Sequence, residues 1–439
     1  MTRDEIIDAA FRAWGVDGFR TNSLSAVSAE LGVTKPALYK HFRAKEELLE
    51  AVSVRFFDRY SGILKEAFSR GRGGGAAGAP AAAGSTASID GVLDIFLGMF
   101  ADDWVGFISY LSVVLGLPKP HERIRTELEA RGVSIPKSPL FGSGPTLLTH
   151  FALSSGLFSL ALFHGSRADR SQRPGPEAAA AAIGAARSLV HGGIAWSQGI
   201  SSDYPLIEAR ARIGEHERGE VHRLLGAIAA AVAEAGPWKA SMDLVAKKAG
   251  MSKSGIYAHF KDRDEMLASM FETEYERIAS VLGPRIEACE GLPDRLYAAM
   301  ATTAEYLIGR PEVLAALDWV RAQRIDLRVA FPERILAHYR FLEREAEAGR
   351  CRLIEGSLDL TLRWIHFLVV NYLVHGSWQE GGMRGGMASL PRLHRLILGG
   401  IDMEPPGGID MEPPGGIDAE ALGGAETAAS RGSDMEISA

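Results

Sequence analysis

Thirteen consecutive residues, 33–45, hold Lys35, Lys40, Arg43 and Lys45 and no acid, with Thr34, Tyr39 and His41 between them. Cations interleaved with hydroxyl and imidazole donors suit one chemistry above others, the neutralisation and hydrogen bonding of phosphodiester oxygens. Residues 1–60 carry nine bases and nine acids, so this net-neutral segment has gathered its positive charge into one place. A second stretch repeats the pattern: Lys247, Lys248, Lys253, Lys261 and Arg263 stand against a single Asp262, with Ser252, Tyr257 and His259 interleaved.

The elements that must position these groups come from an internal repeat. LSAVSAELGVTKPALYKHFRAKEELL from Leu24 and MDLVAKKAGMSKSGIYAHFKDRDEML from Met242 align without a gap at a spacing of 218. Upstream of each, apolar residues recur at helical spacing: Ile6, Ala9, Ala10, Ala13 and Trp14, closed by Gly18, and Leu224, Ala227, Ile228, Ala231 and Val232, closed by Gly236. A short helix follows, with Leu24, Val27, Ser28 and Leu31 inward, Ser23 as N-cap and Gly32 as stop. Ser241 and Gly250 punctuate its twin. A second short helix then begins at Thr34 or Ser252. Pro36 is tolerated in its first turn, where no intrahelical donor is lost. Leu38 and Phe42, or Ile256 and Phe260, face inward and leave Lys35, Tyr39, Lys40 and His41 outward. Two short helices across a glycine turn form a helix-turn-helix, whose second helix can enter a DNA major groove.

These residues resemble the tetracycline-repressor (TetR) family of transcriptional regulators, marked by a Gly-Val-Ser/Thr turn followed by Lys-x-x-Leu-Tyr-x-His/Tyr-Phe. The resemblance covers residues 6–52 and 224–270 closely. It implies that Thr34, Tyr39 and Lys45 contact phosphates, while Lys35, Pro36, Ala37, Lys40 and His41 approach the groove. Ser252, Lys253, Ser254, Gly255, Tyr257, His259 and Arg263 carry the same roles in the copy. Two departures stand out. Family members usually carry one such module in about half this length and dimerise, whereas this chain joins two covalently. Ala44 also stands where the fourth helix often starts at a Ser or Asp cap, a loss of about 1 kcal/mol that weakens the anchoring of Lys45. The copy keeps Asp262 with Glu265, a capping box.

The expected fold is all-α: two tandem TetR-like units, each a three-helix helix-turn-helix domain followed by a helical ligand-binding and dimerisation domain. The expected divisions are 1–60 and 61–200, with a Gly/Ala/Ser loop at 69–88, a linker at 201–217, then 218–278 and 279–398. A low-complexity acidic tail at 399–439, built on GGIDMEPP repeats, is expected to be disordered. LVHGGIAWSQG from Leu189 echoes LVHGSWQEG from Leu373. The helices carrying this echo, 177–198 and 357–379, correspond to the family's dimerisation helices, and Val369, Val370, Leu373 and Val374 suit such a seam. The apolar helices 90–117, 146–163 and 292–319 read as domain cores. Trp104, His150, His164, Trp319 and Tyr339 are the aromatic or amphipathic residues there that suit a pocket for an unknown small-molecule effector. Induction, as the resemblance implies it, swings the fourth helix, 45–68 or 263–282.

Other chemistries find little support. The sequence holds no HExxH, Gly-x-Ser-x-Gly or paired-carboxylate signature, so no enzyme is expected. Gly71 to Gly75 lacks the Gly-Lys-Ser/Thr of a phosphate loop. His41 and His259 lack a Cys or His at zinc spacing, so neither metal nor cofactor is expected. The stretch 138–166 is free of formal charge, but Gly, Pro, Ser and two His dilute it, and it reads as a buried helix rather than a membrane span. Two distant cysteines, Cys289 and Cys351, fit a reducing cytoplasmic setting. Residues 400–439 hold nine acids against one Arg, so the net charge of −7 says nothing about partners. The expected partners are a double-stranded DNA operator and the effector, with the two halves forming an intramolecular pseudo-dimer or the chain a homodimer. The alternative from another class is an interaction or ligand-sequestering protein whose second head no longer reads DNA.

Overall fold

The computed structural model describes residues 1–15, 19, 22–70, 89–91, 93–94, 97–98, 110, 114, 120–133, 145–166, 176–195, 202–237, 239–323, 331–376 and 387–403. Helices make up the regular structure throughout, as expected. Among the described residues the one β feature is an isolated bridge, Ala195 with Cys351. The loop at 71–88, the loop at 167–175, Gly18 and the tail from 404 lie outside the described residues.

The first head comprises α1 (Arg3–Gly15), α2 (Leu24–Glu30), α3 (Lys35–Tyr39) and the long α4 (Lys45–Arg70). Ile6, Ala9, Ala10 and Trp14 are fully buried, so the apolar stripe faces the core. The Trp14 indole Nε1 donates to the Ser23 carbonyl at 3.0 Å, fastening α1 to the start of α2. Gly32 ends α2 at φ +64, a left-handed turn that a side chain would strain. Downstream, α5 (Pro120–Ala130), α6 (Pro145–Ser166) and α7 (Pro176–Gly192) belong to the first half. No helix among the described residues is long and apolar enough to cross a membrane. The uncharged α6 instead buries Phe151, Phe158 and Leu160.

Residues 201–217, expected as a linker, hold α8 (Tyr204–Ala211) and α9 (Glu215–Arg218). Asp203 caps α8 by accepting from Leu206 N at 3.0 Å, and Ile207, Ala211 and Ile213 are buried. Ile207 and Ala211, one helical turn apart, and Ile213 just past the helix bury this segment, whose polar composition concealed them.

The second head repeats the first in α10 (Arg223–Ala235), α11 (Met242–Lys248), α12 (Lys253–Tyr257) and α13 (Arg263–Glu287). Gly250 takes the place of Gly32 at φ +63. Beyond it lie α14 (Gly291–Ile308), α15 (Pro311–Gln323), α16 (Glu333–Leu336), α17 (Arg340–Glu347), α18 (Leu358–Gly376) and α19 (Leu390–Gly399). The core of this half is α14, with twelve buried residues in eighteen.

Contacts run between the halves. The Trp364 indole on α18, fully buried, donates to Ser155 Oγ on α6 at 3.2 Å, and Phe158 meets Phe367 at 5.9 Å between centroids. Burying a side chain of this size contributes about 2–3 kcal/mol. The helix expected over 177–198 ends at Gly192, because Gly193 turns left-handed at φ +55. Beyond it, Ile194 N and Ala195 N donate to the Ile397 and Leu398 carbonyls at 2.9 and 2.7 Å. Arg352 closes this junction, giving Nε to the Gly193 carbonyl at 2.8 Å and Nη1 to Ser188 Oγ at 2.6 Å. A Cβ on Gly193 would collide with the Leu398 carbonyl, so this approach requires glycine. Each echo helix meets the other half: α18 meets α6, while α7 meets α19 and residues 401–403. Val369, Val370 and Leu373 are buried, and the Val374 side chain lies outside the description.

His394 on α19 is fully buried beside Tyr204 and Tyr297, with the Tyr204 hydroxyl 3.3 Å from its Nδ1. Burial pushes its pKa down to about 3. An unfolded histidine titrates near 6.5, so below that pH the unfolded chain takes a proton that the folded chain refuses until about 3. Stability is complete above about pH 6.5 and falls with pH, by about 2 kcal/mol at pH 5. Urea midpoints at pH 7 and pH 5 should show this loss in the native chain and a shallower loss in His394→Gln. An equal acid slope in the variant would refute the assignment to His394.

Candidate nucleic-acid interface

Each recognition helix, α3 or α12, is five residues long, one turn and a half. Such a helix forms few bonds of its own, and its order is supplied by its neighbours. Leu38 and Phe42 turn inward, 2% and 3% exposed, as does Ile256. Tyr39 is 51% exposed, on the outward face as expected. Thr34, Lys35, Pro36 and Lys40 are exposed, and Ala37, His41 and Lys45 are half-buried. The structure thus collects the first head's expected contact residues along α3 and the turn after it.

Arginines elsewhere in the head absorb its acids. Arg12 pairs with Glu30 at 2.7 Å, Arg55 with Asp8 at 3.1 Å and with Asp4, and Arg3 with Glu47 at 3.0 Å. Lys35, Lys40 and Lys45 make no ion pair among the described residues. The net-neutral segment therefore leaves three uncompensated cations around its recognition helix, as phosphate binding requires.

The second head keeps the geometry and spends more of its charge internally. Ser252, Lys253, Ser254, Ala258 and His259 are exposed, while Gly255, Tyr257 and Arg263 are half-buried. Lys253 pairs with Asp243 at 3.1 Å and Lys248 with Glu234 at 2.6 Å. The Arg263 guanidinium lies 5.9 Å from the Trp319 ring, an inward cation–π contact. Trp319, expected in a pocket, is instead fully buried beneath this head, with its indole Nε1 donating to the Ala240 carbonyl at 2.9 Å. Its aromatic character looked like a ligand surface in sequence, but the packing of α15 on α10 makes it a strut.

The caps differ between heads. Ser252 Oγ accepts from Gly255 N at 3.0 Å, whereas Thr34 makes no side-chain cap bond and corrects the expectation that both cap. Asp262 accepts from Glu265 N at 2.9 Å, the expected cap, but Glu265 accepts from Lys261 N, one residue before the cap, so the return half of the expected capping box is not made. Ala44 has no capping group, while Glu47 accepts from Arg43 N at 2.7 Å just as Glu265 accepts from Lys261 N. That bond, with Arg3 beside it, holds the Glu47 carboxyl below the usual carboxylate range. Arg3, Glu47, Asp243 and Glu234 were not singled out in the sequence. One column of the repeat could have flagged Arg3, because Val221 stands in register with it.

Residues 6–52 and 224–270 both match the model of the tetR family of bacterial regulatory proteins. The chain carries two TetR-family DNA-binding modules in tandem. Comparison with curated proteins gives no match. The paired TetR modules indicate a DNA-binding transcriptional regulator.

Of the remaining pocket residues, Tyr339 is buried in the second half, its hydroxyl 3.5 Å from His366 Nε2. Phe331 packs on His366 at 4.8 Å, and burial raises the Tyr339 pKa and lowers that of His366. Trp104 and the side chains of His150 and His164 lie outside the described residues. Among the described residues, the open cavity of about 450 Å³ lined by Glu276, Gly283, Pro284, Arg334 and His338 contains none of the expected pocket residues. No cluster of His, Cys, Asp and Glu among them has metal-site geometry.

Loss of the cap in Ser252→Ala should lower stability by about 1 kcal/mol, whereas Thr34→Ala should change it by less than about 0.3 kcal/mol. Urea denaturation of both variants measures this directly, and equal losses would contradict the unequal caps.

Proposed function

We propose that the chain is a repressor released by a small molecule, in which its two TetR-type heads read one operator as a single-chain pseudo-dimer. The carrying observation is that both heads stand in one compact unit, residues 1–404, whose halves are joined by the Trp364–Ser155 and Arg352–Gly193 contacts. Covalent linkage through a packed connection makes engagement of the second head intramolecular, so no partner chain is needed. The side chains offered to DNA differ: Pro36, Ala37 and Lys40 in one head, Ser254, Gly255 and Ala258 in the other. Dissimilar helices favour dissimilar half-sites.

Support for an effector comes from the second half, where α14 carries Thr302, a fully buried hydroxyl with no hydrogen-bond partner among the described residues. An unsatisfied buried hydroxyl costs roughly 1–3 kcal/mol, which a polar ligand group would offset. Ligand and DNA affinities are then reciprocally coupled. The charge spent internally by the second head favours, as a second reading, a chain whose second head sequesters or interacts rather than reads.

Selection from a random duplex pool at physiological salt distinguishes these. Two dissimilar halves about one helical turn apart are the expected result. Identical halves would indicate a homodimer of chains reading through one head, and absence of enrichment would favour the interaction protein.

A further inference from the structure

We propose that Arg3 is a positioning residue for the first recognition helix, doing for that head what side-chain caps do for the second. This inference rests on the reading of the heads as DNA binders. Arg3 opens α1, yet its guanidinium reaches the far end of α3. One Nη donates to the His41 carbonyl, in the turn just after the recognition helix, and the other to Glu47 Oε1 at 3.0 Å on α4. The guanidinium plane also covers the Phe42 ring, 4.0 Å from its centroid. A single side chain thereby ties three elements together around the helix that meets DNA.

The need for it follows from what the first head lacks. A five-residue helix leaves most of its terminal donors and acceptors to outside partners. Thr34 supplies no side-chain cap at its start, and Ala44 has none to give to α4. A guanidinium on a carbonyl at the C-terminal end of a helix satisfies that acceptor and complements the helix dipole.

In the second head the register position of Arg3 is Val221, 41% exposed. Phe260, the counterpart of Phe42, loses its cover and is half-buried where Phe42 is 3% exposed. That head has the Ser252 and Asp262 side-chain caps instead. The two devices also differ physically. The Arg3 side chain is 49% exposed, so its ion pair is open to screening by salt, whereas caps from hydroxyl and carboxylate to adjacent backbone N–H are short-range.

Amide exchange on the full chain tests this without DNA. In Arg3→Ala, protection over residues 35–43 should fall about tenfold, with residues 253–261 and 292–307 unchanged. Arg3→Lys should fall in between, since an ammonium keeps the charge and loses the fork. Arg3→Ala combined with Ala44→Asp, which installs the second head's cap, should recover part of the protection. Unchanged exchange in Arg3→Ala, or a uniform rise that includes residues 292–307, would overturn the proposal. On a duplex retained by the native chain, Arg3→Ala should bind at least fivefold more weakly, and scrambling the first half-site should abolish the difference. If the native chain retains no duplex, the DNA reading fails while the exchange result still decides the role of Arg3.

Discussion

A helix of five residues cannot hold itself in water, because the conformational entropy of fixing one turn exceeds what its few internal hydrogen bonds return. Both recognition helices are of this kind, and much of the surrounding structure serves to hold them. Leu38 and Ile256 anchor them from below, the glycine turns at Gly32 and Gly250 set their direction, and the long helices α4 and α13 close the ends. A short helix held from outside presents most of its surface to a groove, and it moves when its holders move.

The duplication has kept this arrangement while changing its chemistry. In the first head, arginines neutralise acids away from the recognition face and leave Lys35, Lys40 and Lys45 without ion pairs among the described residues. In the second, Lys253 and Lys248 are drawn into pairs, and Arg263 turns toward Trp319. Exposed pairs of this sort are individually worth under about 1 kcal/mol, so they bias the field around the helix more than they stabilise it. The heads are alike in backbone and unlike in electrostatics.

Holding two heads in one chain moves the demand for precision to the contacts between halves. These contacts use backbone as much as side chains: Gly193 comes against the Leu398 carbonyl, and the backbone N–H groups of residues 194 and 195 bond to the carbonyls of residues 397 and 398. Arg352 and the buried Trp364 add directional bonds to an otherwise apolar junction. Close backbone approach tolerates no added side chain, so this junction is stiffer than a seam of flexible apolar residues.

The sequence alone determined the all-helical class, the two heads in register at 218 residues, and which residues of each short helix face in or out. These are properties of periodicity and local capping, and they depend on neighbours within one or two turns. Ser252, Asp262 and the stripe from Ile6 to Trp14 were legible for that reason. Tertiary structure decided what depends on residues far apart in the chain. Arg3 reaches His41 across 38 positions, Trp319 lies under the head, and α18 of one half packs on α6 of the other. Residues 204–211 became a packed helix whose Glu208 accepts from the Tyr297 hydroxyl, 89 positions on, a partner that local composition cannot announce. Short-range preferences are additive along a sequence, whereas the choice among long-range partners is made by burial and shape once the chain has closed on itself.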